Sequence, residues 1–113
     1  MSIGNVRKCG WMALVLMLVT ASAMAAGTGN GENPKLENLV LQDCGSCHGM
    51  TLRGGLGPPL RPENLRLRPV QAIAAIIREG IPGTAMPPWK PLLTEEEIQW
   101  ISHSLKAGAL VSP

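Results

Sequence analysis

Residues 44–48 read Cys-Gly-Ser-Cys-His, and no other stretch of the 113-residue chain constrains its fold as sharply. Two thiols three positions apart, followed at once by an imidazole, form the attachment signature of a c-type haem. The chemistry sets the spacing. Each thiol adds across one vinyl group of the haem, giving two thioether bonds on neighbouring pyrroles. One helical turn separates Cys44 from Cys47. His48 then lies under the iron and binds it through a ring nitrogen. The same cysteines have other chemistries open to them. A Cys-x-x-Cys pair closes a disulfide, acts as a redox-active dithiol in thioredoxin-like folds, or supplies half a zinc site. A thioredoxin-like fold needs a strand ahead of Cys44, and no convincing strand precedes it. The adjacent His48 and the segments downstream favour haem.

The chain is long enough for one domain, and that domain does not start at Met1. Arg7 and Lys8 precede an apolar run from Trp11 to Val19, followed by Thr20-Ala21-Ser22-Ala23-Met24-Ala25-Ala26. A basic start, a short apolar core and a small-residue exit predict a secretory signal peptide over residues 1–25. Ala23-Met24-Ala25 places cleavage after Ala25, with Ala26 as the alternative. An uncleaved anchor is the competing reading, but the apolar run falls well short of the roughly 20 residues that span a bilayer. The prediction is therefore a periplasmic protein with no stable membrane insertion. Cleavage removes Cys9, Arg7 and Lys8. The remaining chain has the two motif cysteines and eight basic against eight acidic residues. That balance excludes the concentrated basic surface of a nucleic-acid binder. It also predicts only a mild salt dependence for association with charged partners. With no Phe or Tyr anywhere, so short a chain buries little core. A covalently held haem would staple it.

Residues 26–33 read as a flexible leader. Asn33-Pro34 is a helix start, with Asn as N-cap and Pro at the first helical position. Leu36, Val40 and Cys44 come next at helical spacing, with Leu39 and Cys47 beside them, so an amphipathic helix runs into the motif. Glycine and proline density makes residues 49–60 a loop. Residues 63–68 suit a turn of helix. A firmer helix starts at Pro69 and runs through Val70, Ile73, Ile76 and Ile77 to Gly80. Residues 81–93 form a second loop, with prolines at 82, 87, 88 and 91. Thr94-Glu95-Glu96-Glu97 is a capping box. It opens a helix with the stripe Ile98, Ile101, Leu105, and Gly108 closes it. The expectation is an all-α domain over 34–108, with three main helices and Gly/Pro-rich loops around one haem. Residues 109–113 make a C-terminal tail.

If His48 holds one face of the iron, the other face needs an occupant. Met50 is two residues away, and two residues of chain reach roughly 7 Å at most. Met86, in Gly83-Thr84-Ala85-Met86-Pro87-Pro88-Trp89, is the preferred ligand; a space-filling methionine is the alternative. His103 lies off its helix's apolar stripe and reads as an exposed histidine. The ring N–H of a ligating histidine usually has a backbone or carboxylate partner. A carbonyl of Gly57-Pro58-Pro59-Leu60 is a candidate, against the alternative of an ordinary Gly-Pro turn. Pro58 and Leu60 are candidate haem-packing residues. Arg53, Arg61, Arg66 and Arg68 are candidate propionate partners or solvated charges. No further acid, base or metal cluster accompanies the motif, which argues against an enzyme.

With these segments in hand, the chain resembles a class I c-type cytochrome. The resemblance rests on CGSCH at 44–48, GPPL at 57–60, PGTAMPPW at 82–89 and LTEEEI at 93–98, and covers Leu36 to Leu105. It implies a small all-α fold with one covalent haem c, Pro58 backing His48, and Met86 on the iron. One position departs: Ser104 stands where the family usually has an aromatic, and Trp100, one turn earlier, is the candidate to replace that packing. The wording QDCGSCHGMTLRGGLGPPL with IPGTAMPPWKPLLTEEE is similar to the cytochrome c-55X family, encoded with cytochrome cd1 nitrite reductase. That resemblance implies single-electron transfer in denitrification to redox partner proteins, with the reductase as acceptor. The alternative is a role in handling haem d1 or a precursor of it.

Overall fold

The computed structural model describes residues 32–111. The expected signal peptide, most of the leader and the last two residues lie outside the described residues. Among the described residues, no helix is long and apolar enough to cross a membrane, and no strand forms.

The first helix opens as its residues dictate. The Asn33 side chain accepts the Leu36 N–H at 3.1 Å, and Pro34 occupies the first position, where a missing N–H has no partner to lose. Helix α1 spans Pro34–Leu39, passes into a π turn at Val40–Cys44, and resumes as α2 at Gly45–His48. The π turn is a difference from the uninterrupted α-helix expected here. It widens the ladder from i→i+4 to i→i+5 and so rotates α2 relative to α1. Leu36 and Val40 are buried, whereas Cys44 is only half-buried.

Gly49 ends α2 with φ 88°. The loop beyond it folds back on the helix it left. Within it Leu52 is fully buried and yet left-handed, with φ 58°, and its carbonyl accepts the Leu60 N–H at 2.9 Å. A short helix α3, Pro62–Leu65, takes the place of the turn expected at 63–68. The Lys106 ammonium donates to the carbonyls of Leu65, Arg66 and Arg68, tying the end of α3 to the last helix.

Helix α4 spans Val70–Glu79, with Pro69 as its cap residue and not its first turn. Ile73, Ala74 and Ile77 face inward. Helix α5, Glu95–Ala107, begins with the expected capping box. The Glu97 N–H donates to Thr94 Oγ1 at 3.2 Å, and the Thr94 N–H donates to Glu97 Oε2 at 2.9 Å. Gly108 closes α5 in the left-handed conformation. Helix α5 packs on both α4 and α3, burying Ile98, Ile101 and Leu105. Leu110 is also buried, so packing continues past Gly108 into the segment expected to be a tail. Trp100 lies half-buried against the core.

The Arg78 side chain grips Glu95 through both carboxylate oxygens. This hydrogen-bonded pairing holds the Glu95 carboxyl below its ordinary value of 4.5. A depressed carboxylate stabilises the fold above that ordinary value, and the contribution disappears as pH falls through the folded-state value. Arg78→Gln is therefore expected to lower the denaturation midpoint at pH 7 and to leave it nearly unchanged at pH 2.5. Equal losses at both pH values would contradict this assignment. Thr94→Ala removes half of the capping box and should cost about 1 kcal/mol in denaturant unfolding.

Candidate functional site

His48 is the last residue of α2 and is buried. Its Nδ1 lies 2.6 Å from the Pro58 carbonyl oxygen. A carbonyl only accepts, so Nδ1 carries the proton and donates. The lone pair is then left on Nε2, the nitrogen suited to bind a metal. Gly57 lies flat against the ring. A Cβ at Gly57 would stand 2.6 Å from Cε1 and 2.7 Å from Nδ1 of His48, inside any normal contact. The Gly57 N–H donates to the Cys47 carbonyl at 2.9 Å, and the Gly54 N–H donates to the His48 carbonyl at 2.8 Å. The 49–60 loop is thus stitched to the turn that carries the motif, and it fixes the tautomer and orientation of the imidazole. Pro58 takes part through its carbonyl. Leu60 is half-buried against the core.

Cys44 and Cys47 are free thiols, both half-buried, so no disulfide joins the pair. Burial pushes the Cys44 thiol up to about 11, and the neighbouring Asp43 carboxylate adds to the shift. As a free thiol, before any thioether forms, Cys44 therefore keeps its proton at neutral pH. Two unpaired thiols one turn apart, with a buried imidazole presenting Nε2 beside them, fit a haem donor set. Among the described residues, no group of three or more His, Cys, Asp and Glu side chains gathers to hold a metal ion directly.

Met86 is half-buried in the second loop, which is laced back onto the end of α4. Ile81 N–H donates to the Met86 carbonyl at 3.1 Å, Trp89 N–H to the Ile77 carbonyl at 3.0 Å, and Lys90 N–H to the Arg78 carbonyl at 3.3 Å. The Met86 N–H donates to Thr84 Oγ1 at 3.3 Å. Gly80 makes the crossing possible. It has φ 65°, and a Cβ there would lie 2.6 Å from the Met86 carbonyl oxygen.

The remaining candidates are placed as follows. Met50 is exposed, its sulfur lying over Gly45 on α2. His103 is exposed on α5. Arg61 bonds Glu63 and the Thr51 carbonyl. Arg53, Arg66 and Arg68 are exposed, and the last two lend their carbonyls to Lys106. Ser104 is buried, and with Trp100 and Glu37 it lines a cleft of about 370 Å³ between α1 and α5. Sequence reasoning singled out neither Gly57 nor Gly80 as a point of close approach. The only signal was a glycine directly before a proline pair and another at a helix end.

An all-helical fold built around a turn of this kind is that of a class I c-type cytochrome, and comparison with known proteins agrees. The family model described as cytochrome c oxidase, cbb3-type, subunit III matches residues 31–103. Cytochrome c55X of Paracoccus denitrificans is 45% identical over 94 residues, which is 83% of this chain and 91% of that protein. The solved c-type cytochrome NirC superposes with a TM-score of 0.68 at 46% identity, covering 69% of this chain and 92% of that one. The structure of dihydro-haem d1 dehydrogenase NirN in complex with DHE gives a TM-score of 0.58 at 31% identity, over 62% of this chain and 15% of that one. The chain belongs to the cytochrome c55X family. The c55X relatives and NirC are named as cytochromes, and membership implies a covalently bound haem c and an electron-transfer function.

Gly57→Ala forces a methyl group into the His48 ring. The expected loss is about 1–3 kcal/mol in thermal unfolding of the haem-loaded protein, with a perturbed Soret spectrum. An unchanged spectrum and midpoint would show that the ring does not depend on this contact.

Proposed function

We propose that the chain is an exported monohaem electron carrier of the periplasm, with residues 1–25 as its signal peptide. Cys44 and Cys47 would hold one haem c through two thioethers, and His48 Nε2 and Met86 Sδ would hold its iron. The observation that carries this reading is the 2.6 Å bond from His48 Nδ1 to the Pro58 carbonyl, because it commits the other ring nitrogen to the metal. The bound haem supplies a one-electron couple. The protein contributes the rest. A thioether opposite an imidazole favours the reduced state and raises the potential. The two laced loops hold both ligands in place in either oxidation state, so that little rearrangement accompanies transfer. Family membership and the likeness to NirC support a role in denitrification, with cytochrome cd1 nitrite reductase as the acceptor.

The ferric protein should show the weak long-wavelength band that marks methionine ligation in this family. Met86→Ala should abolish it and lower the potential. An unchanged visible spectrum in that variant would remove Met86 from the iron.

Gly80 and Gly83 test the loop itself. Both have positive φ, but a Cβ at Gly83 meets nothing within 4 Å. Gly80→Ala should therefore weaken the long-wavelength band, whereas Gly83→Ala should retain it. Equal effects would attribute the response to backbone strain and not to close approach.

A second reading, in maturation or delivery of haem d1, is supported by the likeness to dihydro-haem d1 dehydrogenase NirN. It predicts a stoichiometric spectral change when the purified cytochrome is titrated with a d1-type tetrapyrrole. A pure electron carrier gives none.

A further inference from the structure

Two serines of α5 are buried, and only one has its hydroxyl accounted for. Ser102 Oγ donates to the Ile98 carbonyl at 2.7 Å, one turn back, a common outlet for a serine inside a helix. Ser104 is 4% exposed. Its carbonyl accepts the Ala109 N–H at 3.0 Å, but its hydroxyl meets no hydrogen-bond partner among the described residues. Buried hydroxyls are seldom left this way. No fully enclosed side-chain nitrogen or oxygen lacks a partner among the described residues, so this one keeps an opening. The space beside it is the cleft between α1 and α5 that Ser104 helps to line.

The cleft holds about 370 Å³, at the small end of the range for organic ligands. Half-buried Trp100 gives it an aromatic wall, and Leu110 an apolar one. Glu32, exposed, and Glu37, half-buried, bring two carboxylates to its outer end, whereas Ser104 lies at the buried end. Neither carboxylate is ion-paired among the described residues. No basic residue lines the cleft among the described residues. Lys106, on the same half of α5, is committed to three carbonyls at the end of α3. Unpaired carboxylates beside an indole attract a positive charge carried on an apolar body. The free hydroxyl at the far end adds a place for one more hydrogen bond. None of the residues proposed to hold the haem lines this space.

We propose that the cleft between α1 and α5 is a second binding site, for a small organic ammonium with a hydrogen-bonding group at its other end. Its body packs against Trp100 and Leu110. Its charged nitrogen donates to Glu32 and Glu37, and its far polar group bonds the Ser104 hydroxyl. Binding is reversible and changes no covalent bond. The site does not rest on the electron-carrier reading, because it uses none of the residues assigned to the haem.

Tyramine is a suitable probe, with an ammonium at one end and a phenol at the other. Titrated into the reduced, haem-loaded protein, it should give saturable amide NMR shifts over residues 100–110, with a Kd of about 1 mM for a ligand of this size. 2-Phenylethylamine lacks the phenol and should bind about threefold more weakly. 3-(4-Hydroxyphenyl)propionate carries the opposite charge and should give no saturable shift. Replacing both carboxylates, by Glu32→Gln with Glu37→Gln, should weaken tyramine about fivefold or more. Ser104→Ala should erase the preference for tyramine over 2-phenylethylamine, and both variants should keep the wild-type visible spectrum. The site is overturned by an absence of saturable shifts at the cleft, by equal binding of the carboxylate analogue, or by undiminished binding to the Gln variant. A tyramine preference that survives Ser104→Ala removes the hydroxyl from the site. Shifts seen only after deletion of residues 27–31 would give the cleft to the chain's own leader, and would likewise overturn the ligand site.

Discussion

The hydrogen bond from His48 to the Pro58 carbonyl is the constraint around which the molecule is organised. A histidine at the end of a four-residue helix has little to hold it on its own. Its ring would rotate, and either nitrogen would be available to a metal. The carbonyl removes both freedoms, because it accepts only from a protonated Nδ1. To bring that carbonyl within reach, the chain has to return on itself ten residues after the histidine. The loop between them serves that return: Gly49 turns it, Gly54 and Gly57 bond it to the motif backbone, and Gly57 lets it lie flat on the imidazole.

The second half of the domain solves a similar problem by different means. Met86 is bonded through its backbone to Ile81 and Thr84, and its position comes from the loop around it, laced to the last turn of α4. Helix α5 links the two halves. It packs on α4, grips Arg78 through Glu95, and reaches the end of α3 through Lys106. The exposed ion pairs along this route contribute little each. The buried stripe of Ile98, Ile101 and Leu105 supplies most of what holds α5 in place.

Much of this was legible in the sequence because local signals carried it. The Asn33-Pro34 start, the Thr94–Glu97 capping box, the Gly108 stop and the helical stripes of α4 and α5 are interactions between residues a few positions apart. The attachment motif is itself a local pattern. What was not legible depends on longer reach or on geometry without a residue signature. The π turn at Val40–Cys44 is one case, since no residue type in that stretch favours i→i+5 bonding over i→i+4. The choice of Pro58 among the carbonyls of its segment is another, and the rings and carbonyls that exclude a Cβ at Gly57 and Gly80 belong to distant residues. The seat of Lys106 on three carbonyls some forty positions away left no trace in composition. Leu110 was missed because a single leucine beyond a glycine stop has no periodicity to reveal it.

Leu52 shows what such compactness imposes on the chain's history. Its backbone sits where glycine is most at ease, while its side chain fills the interior completely. Glycine there would relax the backbone and leave a hole. A β-branched side chain would fill the hole and clash with its own backbone. Each pressure rules out the remedy for the other, so few side chains would serve at this position. A surface-distant residue with no chemistry of its own is thus as tightly confined as the histidine it lies near in sequence.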